Sequence, residues 1–492
     1  MNAAEAGHRT AGRARRNPLV AALLSALLPG AGQWYAGRRR RAVLLLAVSA
    51  VLIVGGVGWV VLDPVAVAKL AFEPGLLQSL LVADAFLLVY RAWASWDAYR
   101  SAAPSDPSPG RAATAITGLA VTALLLVPHA WFAYYDLIQL DLITSVFAAP
   151  TTTTTTPSST TLTTLPPVDT GSPDPTTPTT ATTTTTTTTT TLPPVIWEDL
   201  ERLNILLLGS DAGLGRTGVR TDTMILASLD PKTGDAALLS VPRNFAQVPL
   251  PDSVDIWDCN CFPDIINALY RYAEEHPDSF AGPIPPGATA IKGAIGELLG
   301  LPVHYYALVA LDGFVDMVDA LGGVTITVTE RVYDDAYPKE GGGTEVIDFV
   351  PGVYTFDGHD ALAYARSRQA SDDYNRMGRQ RCVLEALAAQ ADPLSLLRGF
   401  PAIADAIKRS VDTDIPLDAM PSLVELATLV DTERAISIPF VPPTYVAGRD
   451  ANGYNIPNVD RIREHTRIAT TLPPDEAMEL LGIEPLADAC GG

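Results

Sequence analysis

Between Thr151 and Pro194 the chain is almost entirely threonine and proline. A stretch with so little apolar side chain cannot bury enough surface to offset the entropy of ordering it. Residues 150–196 are therefore expected to form a disordered, extended linker, and whatever folds must lie to one side of it or the other. At roughly 3.1 Å per residue in polyproline geometry, such a tract reaches on the order of 100 Å or more. That is enough to hold a following domain well away from a bilayer, within a cell wall. Its hydroxyls suit O-glycosylation, and a plain spacer explains it equally well.

The two flanks differ in kind. Apolar residues crowd into the first 140 positions, behind a basic start, 1–17, that carries His8, Arg9, Arg13, Arg15 and Arg16. Four apolar stretches follow, near residues 18–34, 42–62, 76–90 and 113–134. A bilayer span needs roughly 20 such residues, which the last three approach or meet. The first is broken by Pro29, Gly30, Gly32 and Gln33 and reads as a re-entrant or interfacial segment. Arg38 to Arg41 form one basic run, and Arg91, Arg100 and Arg111 flank the loop between the third and fourth stretches. The positive-inside rule places the N-terminus and both basic groups in the cytoplasm, giving three spans within a transmembrane region at 18–136. Everything beyond about Asp136 then lies outside, so the expectation is a multi-pass cell-membrane protein. No small-residue cleavage site follows the first apolar run, so no removable signal is expected.

From Trp197 to Gly492 enough chain remains for one large domain with its own core. All four cysteines lie here. Cys259 and Cys261 stand too close in sequence for an easy mutual bridge, so the expectation is that one of them pairs with Cys382 or Cys490 in an oxidising compartment. The alternative pairings stay open. A metal site is disfavoured because no histidine sits at ligand spacing from Cys259.

Three strands open this domain: Asn204 to Leu208, Thr223 to Leu229 and Ala236 to Val241, the last two joined by a tight turn at Pro231 to Gly234. If the first runs beside this antiparallel hairpin, Asp211, Arg220, Asp222 and Arg243 meet at one rim of a sheet. Two carboxylates and two arginines there suit a divalent cation held together with phosphate oxygens, while a pair of rim salt bridges is the plainer explanation. Gly213, Gly215 and Gly218 spell a dinucleotide-like GxGxxG, but a strand follows instead of a helix, so they read as a loop over the site. His304 to Ala310 reads as a further strand. Asp312 is the expected N-cap of a helix with Phe314, Val315, Val318 and Leu321 as its apolar stripe; Gly322 and Gly323 stop it, and Val324 to Thr329 returns as a strand. Together these make an α/β scaffold.

The net charge is -21, yet five arginines fall within the eighteen residues from Tyr364 to Arg381. Guanidinium forks match phosphate oxygens, so the cluster points to a polyanion. Its extracytoplasmic position excludes nucleic acid and cytosolic nucleotides. A short helix, Asp360 to Arg366, delivers Arg366 and Arg368 into a loop. After Asp372 and Asp373 a second helix starts near Tyr374 or Asn375 with Val383, Leu384 and Leu387 as its buried stripe. Helical spacing carries that stripe back to Gln380 and Arg376, which should face inward. Cations in the first turn oppose the helix macrodipole, which makes more sense with an anion between them. Arg379 and Arg381 fit a solvated face paired with Asp372 and Asp373.

The segments NILLLGSDAGLGRTGVRTDTMILASLD, LLSVPRNF, VHYYALVALDGFVDMVDALGGVTITV, FDGHDALAYARSR and DYNRMGRQR resemble, in order and spacing, the LytR-CpsA-Psr (LCP) family of cell-wall ligases, actinobacterial type, over about Leu203 to Leu387. The resemblance implies an extracytoplasmic α/β/α sandwich with a central mixed sheet. It implies transfer of a glycopolymer from a polyprenyl-pyrophosphate carrier to peptidoglycan, at the 6-OH of N-acetylmuramic acid, with Mg2+ or Mn2+ on the pyrophosphate. By motif, Asp211 and Asp222 would organise the cation, and Arg220, Arg243, Arg366, Arg368, Arg376 and Gln380 would bind the pyrophosphate. Arg220, Asp222, Arg243, Arg366 and Arg368 are the expected catalytic set. An apolar tunnel for the lipid tail is implied between the sheet and its helices. Two departures stand out: the usual PRD reads Pro242-Arg243-Asn244, and the usual RQQ reads Arg379-Gln380-Arg381. Asp222, Asp211 and Asp373, in that order, are the candidates for a general base. A hydrolase of lipid-linked pyrophosphates and a non-catalytic wall-binding protein remain as alternatives.

Overall fold

The computed structural model describes residues 16–102, 111–147, 197, 200–211, 219–339, 342–367, 373–390, 393–431 and 434–483. The expected linker at 150–196, the glycines 213–218, Arg368, Asp372 and Cys490 lie outside the described residues, and Asp373 enters only through its backbone.

Three helices are long and apolar enough to cross a membrane: Arg39–Leu62, Pro74–Ala102 and Thr114–Val146. Pro18–Leu27 has ten residues. At 1.5 Å per residue that is about 15 Å, half of the roughly 30 Å hydrocarbon core, so this helix cannot span. It turns at Gly30 into the short helix Ala31–Tyr35. Gln33 is fully buried there, donating to the Ala94 carbonyl at 2.8 Å and Asp97 at 3.1 Å and accepting from Ser25 at 2.7 Å. Arg91 does not flank a loop as expected. It sits well inside Pro74–Ala102, donating to the Ala26 carbonyl at 2.7 Å and lying 3.1 Å from His129, whose other ring nitrogen is 2.6 Å from Asp84. A charge at that depth requires such partners, and here they tie three helices together.

Beyond the membrane helices a mixed sheet organises the domain. Its six strands are β1 (Leu203–Ser210), β2 (Thr221–Leu229), β3 (Ala236–Ser240), β4 (Tyr305–Ala310), β5 (Val411–Thr413) and β6 (Ile436–Pro439), in the order β5-β4-β1-β2-β3-β6. β1 runs antiparallel to β2 and parallel to β4, and β2 and β3 form the expected antiparallel hairpin. Strand alternation sorts the side chains. Leu206, Leu208, Met224, Leu226, Tyr306 and Leu308 point to one face, under helices Leu269–Glu275, Pro286–Leu299 and Val459–Thr471. The residues between them, Leu207, Ile225, Ala307 and Val309, point to the other, under helices Leu311–Leu321, Gly358–Arg366 and Asp373–Gln390. Both faces are covered, which is why these strands read as continuous apolar runs. The result is an α/β/α sandwich.

Two expectations need correcting. Ala310, not Asp312, caps Leu311–Leu321, because the strand runs directly into the helix; Asp312 stands in the first turn, where its charge suits the helix dipole. The strand Val324–Val328 forms where expected and pairs with Gly352–Phe356 in a small sheet of its own. Cys259 bridges to Cys261 across a Cα separation of 5.0 Å, within the ordinary disulfide range. Asn260 between them adopts φ 46°, the left-handed bend that turns both side chains to one side. Cys382 is disulfide-bonded as well.

His304 joins β1 to the start of β4: its Nδ1 accepts from the Asn204 backbone N–H at 3.0 Å. That bond needs an unprotonated nitrogen, and burial, reinforced by the Lys292 charge, lowers its pKa below 6.5. A group with a depressed folded pKa gives stability that is present above its unfolded pKa and lost as pH falls through the folded value. The thermal midpoint is thus expected to fall between pH 7.5 and pH 5, and His304→Asn should flatten that slope in melting curves across the range. An unchanged slope in the variant excludes His304 as its source.

The domain packs against the C-terminal end of helix Arg111–Val146 and against helix Pro64–Leu70. Tyr135 stacks on Phe400 with ring centroids 6.1 Å apart, Lys408 pairs with Asp141, and Lys69 pairs with Glu425. Leu77, Ile143 and Leu417 share one apolar cluster, with Phe72, Phe147 and Met420 packed against it. Apolar side chains on both parts cover one another instead of facing water.

Candidate functional site

The ends of β1 and β4, the start of β2 and the segment after β3 converge at one rim of the sheet. Asp222, second residue of β2, accepts at Oδ1 from Arg243 Nη1 at 2.7 Å and from Asn267 Nδ2 at 3.2 Å. Burial alone would raise its pKa. The charge and hydrogen bond of Arg243, the Asn267 bond and the charge of Arg376 outweigh that and hold it below the usual carboxylate value. Asp222 is therefore ionised at neutral pH, and its Oδ2 takes neither of these two bonds.

Arg376 is 1% exposed and donates from Nη2 toward the Asp222 carbonyl at 3.4 Å. It and Gln380, one turn on, face inward as helical spacing predicts. Arg366 ends the helix Gly358–Arg366, where a cation suits the dipole, and hydrogen-bonds the buried Tyr337 hydroxyl. Ser367, next in the chain, donates to the buried Asp334 at 3.0 Å. The hairpin of strands Val332–Pro338 and Thr344–Phe349 thereby fixes the end of this helix.

Asp211 and Arg220 stand at the rim and are exposed. The Asp211 carboxylate accepts from the Arg220 backbone N–H at 2.8 Å, and the Asp211 N–H donates to the Arg220 carbonyl at 3.1 Å. This clasp joins the two ends of the loop between β1 and β2 and leaves the Arg220 guanidinium outside the cavity lining. Arg379 and Arg381 are not solvated as expected. Arg379 donates to the Tyr364 carbonyl at 2.7 Å and to the Ser367 carbonyl, and Arg381 to Ser437 Oγ at 2.5 Å. Both pack inward because helix Asp373–Gln390 is flanked on both sides, by helix Gly358–Arg366 and by β6.

Asp222, Arg366, Arg376 and Gln380 surround the polar end of a cavity of 260 Å³. Its remaining walls are apolar: Leu207, Ile225, Ala307 and Val309 from the sheet, Phe314 and Met317 from helix Leu311–Leu321, and Val383, Leu384 and Leu387 from helix Asp373–Gln390. Gly209 is required at its polar end, since a Cβ there would stand 2.9 Å from Thr223. A slot with a cationic head and an apolar body suits an amphiphile carrying phosphate. An ionised Asp222 and a second rim carboxylate, Asp211, fit the usual Mg2+ donor set of one or two carboxylates completed by phosphate oxygens. Among the described residues another acidic group, Asp357, His359 and Asp360, lies at the opposite end of helix Gly358–Arg366 from Arg366, and Asp357 already caps that helix.

Asn267 and Tyr337 were not legible in the sequence. Asn267 follows a short strand in an apolar run, with no spacing that marks it, and Tyr337 lies in a hairpin that carries no motif.

Residues 174–467 match the LytR_cpsA_psr family. A transferase of Halalkalibacterium halodurans, named polyisoprenyl-teichoic acid--peptidoglycan teichoic acid transferase TagU, is 30% identical over 219 residues, which cover 44% of this chain and 62% of that protein. A Corynebacterium glutamicum protein, "Probable cell wall biosynthesis protein LcpB", is 33% identical over 215 residues, covering 43% of each. The chain thus spans less than two thirds of the length of these curated relatives. Among solved structures, TagV of Bacillus subtilis aligns with 58% of this chain and 99% of its own, at 23% identity and a TM-score of 0.40. With the matched segment covering more than half of its length, the chain belongs to the LytR_cpsA_psr family.

Proposed function

We propose that this protein is a phosphotransferase that attaches a glycopolymer from a polyprenyl-pyrophosphate-linked donor to peptidoglycan, at a site outside the membrane. The observation that carries the reading is the joining of an apolar slot to a head formed by the cations Arg366 and Arg376 and the amide of Gln380, beside an ionised Asp222. The family membership and the names of the relatives support the same reading.

The basic run at Arg38 to Arg41 and Arg100 with Arg111 face the cytoplasm on this reading, and the domain faces the wall. The lipid tail occupies the slot, and its pyrophosphate lies against Arg366 and Arg376. A muramic acid hydroxyl attacks the sugar-proximal phosphorus; the new P–O bond forms as the phosphoanhydride bond breaks, the hydroxyl proton passes to water, and polyprenyl phosphate leaves. Forked donors fixed in a buried site stabilise charge growing on the phosphoryl oxygens, which is most of what phosphoryl transfer requires. Asp222, with Asp211, would hold Mg2+ (or Mn2+), which when bound neutralises the pyrophosphate charge. The depressed pKa of Asp222 suits a cation ligand and makes it a poor proton acceptor.

The test uses the full chain in lipid vesicles with a labelled lipid-linked pyrophosphoryl glycan and purified peptidoglycan. Label is expected to become peptidoglycan-bound, to stop on chelation and to resume with added Mg2+. Release of free glycan phosphate in place of attachment identifies a hydrolase, and no turnover of the donor overturns both readings.

A further inference from the structure

The packing of the domain on the membrane helices fixes a direction for the apolar slot. Helix Arg111–Val146 has 36 residues, about 54 Å, so its outer end extends beyond a core of roughly 30 Å. Helix Pro393–Ser410 runs alongside that end in the same sense: Phe400 meets Tyr135, and Lys408 meets Asp141 further out. Helix Leu311–Leu321, a wall of the slot, packs against Pro393–Ser410 in the opposite sense, with glycine at both ends of the contact. A Cβ on Gly313 would stand 2.0 Å from Ser410, and one on Gly399 would stand 2.1 Å from the Ala320 carbonyl oxygen. Arg409 and Asp316 pair at 3.0 Å between them.

These contacts order the slot along the membrane normal. Leu311 adjoins the rim of Asp222 and Arg376 and lies far from the bilayer; Phe314 and Met317 descend toward it. Over the eleven residues of that helix the drop is about 16 Å. On helix Asp373–Gln390, Leu384 stands about two turns beyond Arg376 and lines the slot while 42% exposed.

We propose that the docked arrangement is the donor-loading state: the surface formed by helices Pro393–Ser410 and Met420–Leu429 binds this chain's own membrane helices, presenting the apolar end of the slot to the outer leaflet. A lipid-linked pyrophosphate then lies with its head at the arginines and its tail running down the apolar walls of the slot into the leaflet, without the tail crossing water. The inference rests on reading the slot as a lipid-tail site. Apolar contact at Leu417 and the two ion pairs, Lys408 with Asp141 and Lys69 with Glu425, hold the docking.

The experiment uses the full chain in phosphatidylcholine vesicles. With Asp141→Cys and Lys408→Cys, a short bis-maleimide should join the two positions; its failure overturns the docking. A fluorophore on Leu384→Cys should be quenched by brominated lipid several-fold more than one on Arg220→Cys, and equal or inverted quenching overturns the orientation. Reversing both lysines, Lys69→Glu with Lys408→Glu, should lower the docked-to-undocked ratio, read from the quenching at Leu384→Cys, roughly tenfold, given the usual worth of exposed pairs. Adding Asp141→Lys and Glu425→Lys should restore it, and an unchanged ratio excludes the ion pairs. Neither readout requires turnover, so a protein that docks as described but transfers nothing refutes the proposed activity and leaves the docking standing.

Discussion

Arg376→Ala is expected to lower kcat/KM for glycopolymer transfer by roughly 10³-fold or more, the scale on which a phosphoryl-directed arginine acts. Arg376 is almost wholly buried, in the first turn of a helix whose dipole opposes it, and its bond to the Asp222 carbonyl at 3.4 Å is long. A guanidinium kept at such a cost in desolvation is expected to act where phosphate charge develops, so the loss should fall mainly on kcat. Arg376→Lys should recover little, because an ammonium cannot present two donors to two oxygens. Kinetics on protein shown to be folded by its melting transition decide the matter: activity within about threefold of the parent means Arg376 only balances Asp222.

The second large effect separates tail recognition from chemistry. Ala307 lies on the sheet floor of the slot, and Ala307→Phe would place a ring in the 260 Å³ that the tail is proposed to fill. Excluding about four buried methylenes at about 0.8 kcal/mol each removes roughly 3 kcal/mol, a fall of about 10²-fold in kcat/KM for a long-tailed donor. A donor with a tail of one or two isoprene units should stay within a few-fold, because Arg366, Arg376 and Asp222 are untouched. Equal losses on both donors indicate that the ring has distorted the sheet, and no loss on either places the tail elsewhere.

Local pattern carried the sheet and not its surroundings. The strands at Leu203, Thr221 and Ala236 declared themselves because each is an apolar run bounded by turn residues, and the hairpin turn fixed their register. Helical spacing likewise turned Arg376 and Gln380 inward. The pattern misled where a second element decides the outcome: Arg379 and Arg381 look solvated until β6 and the end of helix Gly358–Arg366 are placed beside them, and Arg91 looks like a loop charge until His129 and the Ala26 carbonyl reach it. Asn267 and Tyr337 act through partners 45 and 29 residues away, Asp222 and Arg366, a separation over which no periodicity carries information. Cys259 and Cys261 depended on one left-handed residue between them.

Phe147, at the end of the last membrane helix, and Trp197, where the domain begins, both lie in apolar clusters against which Met420 packs. Phe147 and Trp197 thus stand close together, so the proposed docking is an intramolecular equilibrium governed by the effective concentration of a tethered partner, of roughly millimolar order. At that concentration an interface of only millimolar intrinsic affinity is half occupied, so two exposed ion pairs and a small apolar patch suffice. The same weakness makes the balance responsive to ions. Raising salt from 0.01 to 0.15 M shortens the screening length from about 30 to about 8 Å. On the proposed docking, ionic strength then sets how often the domain leaves the membrane helices.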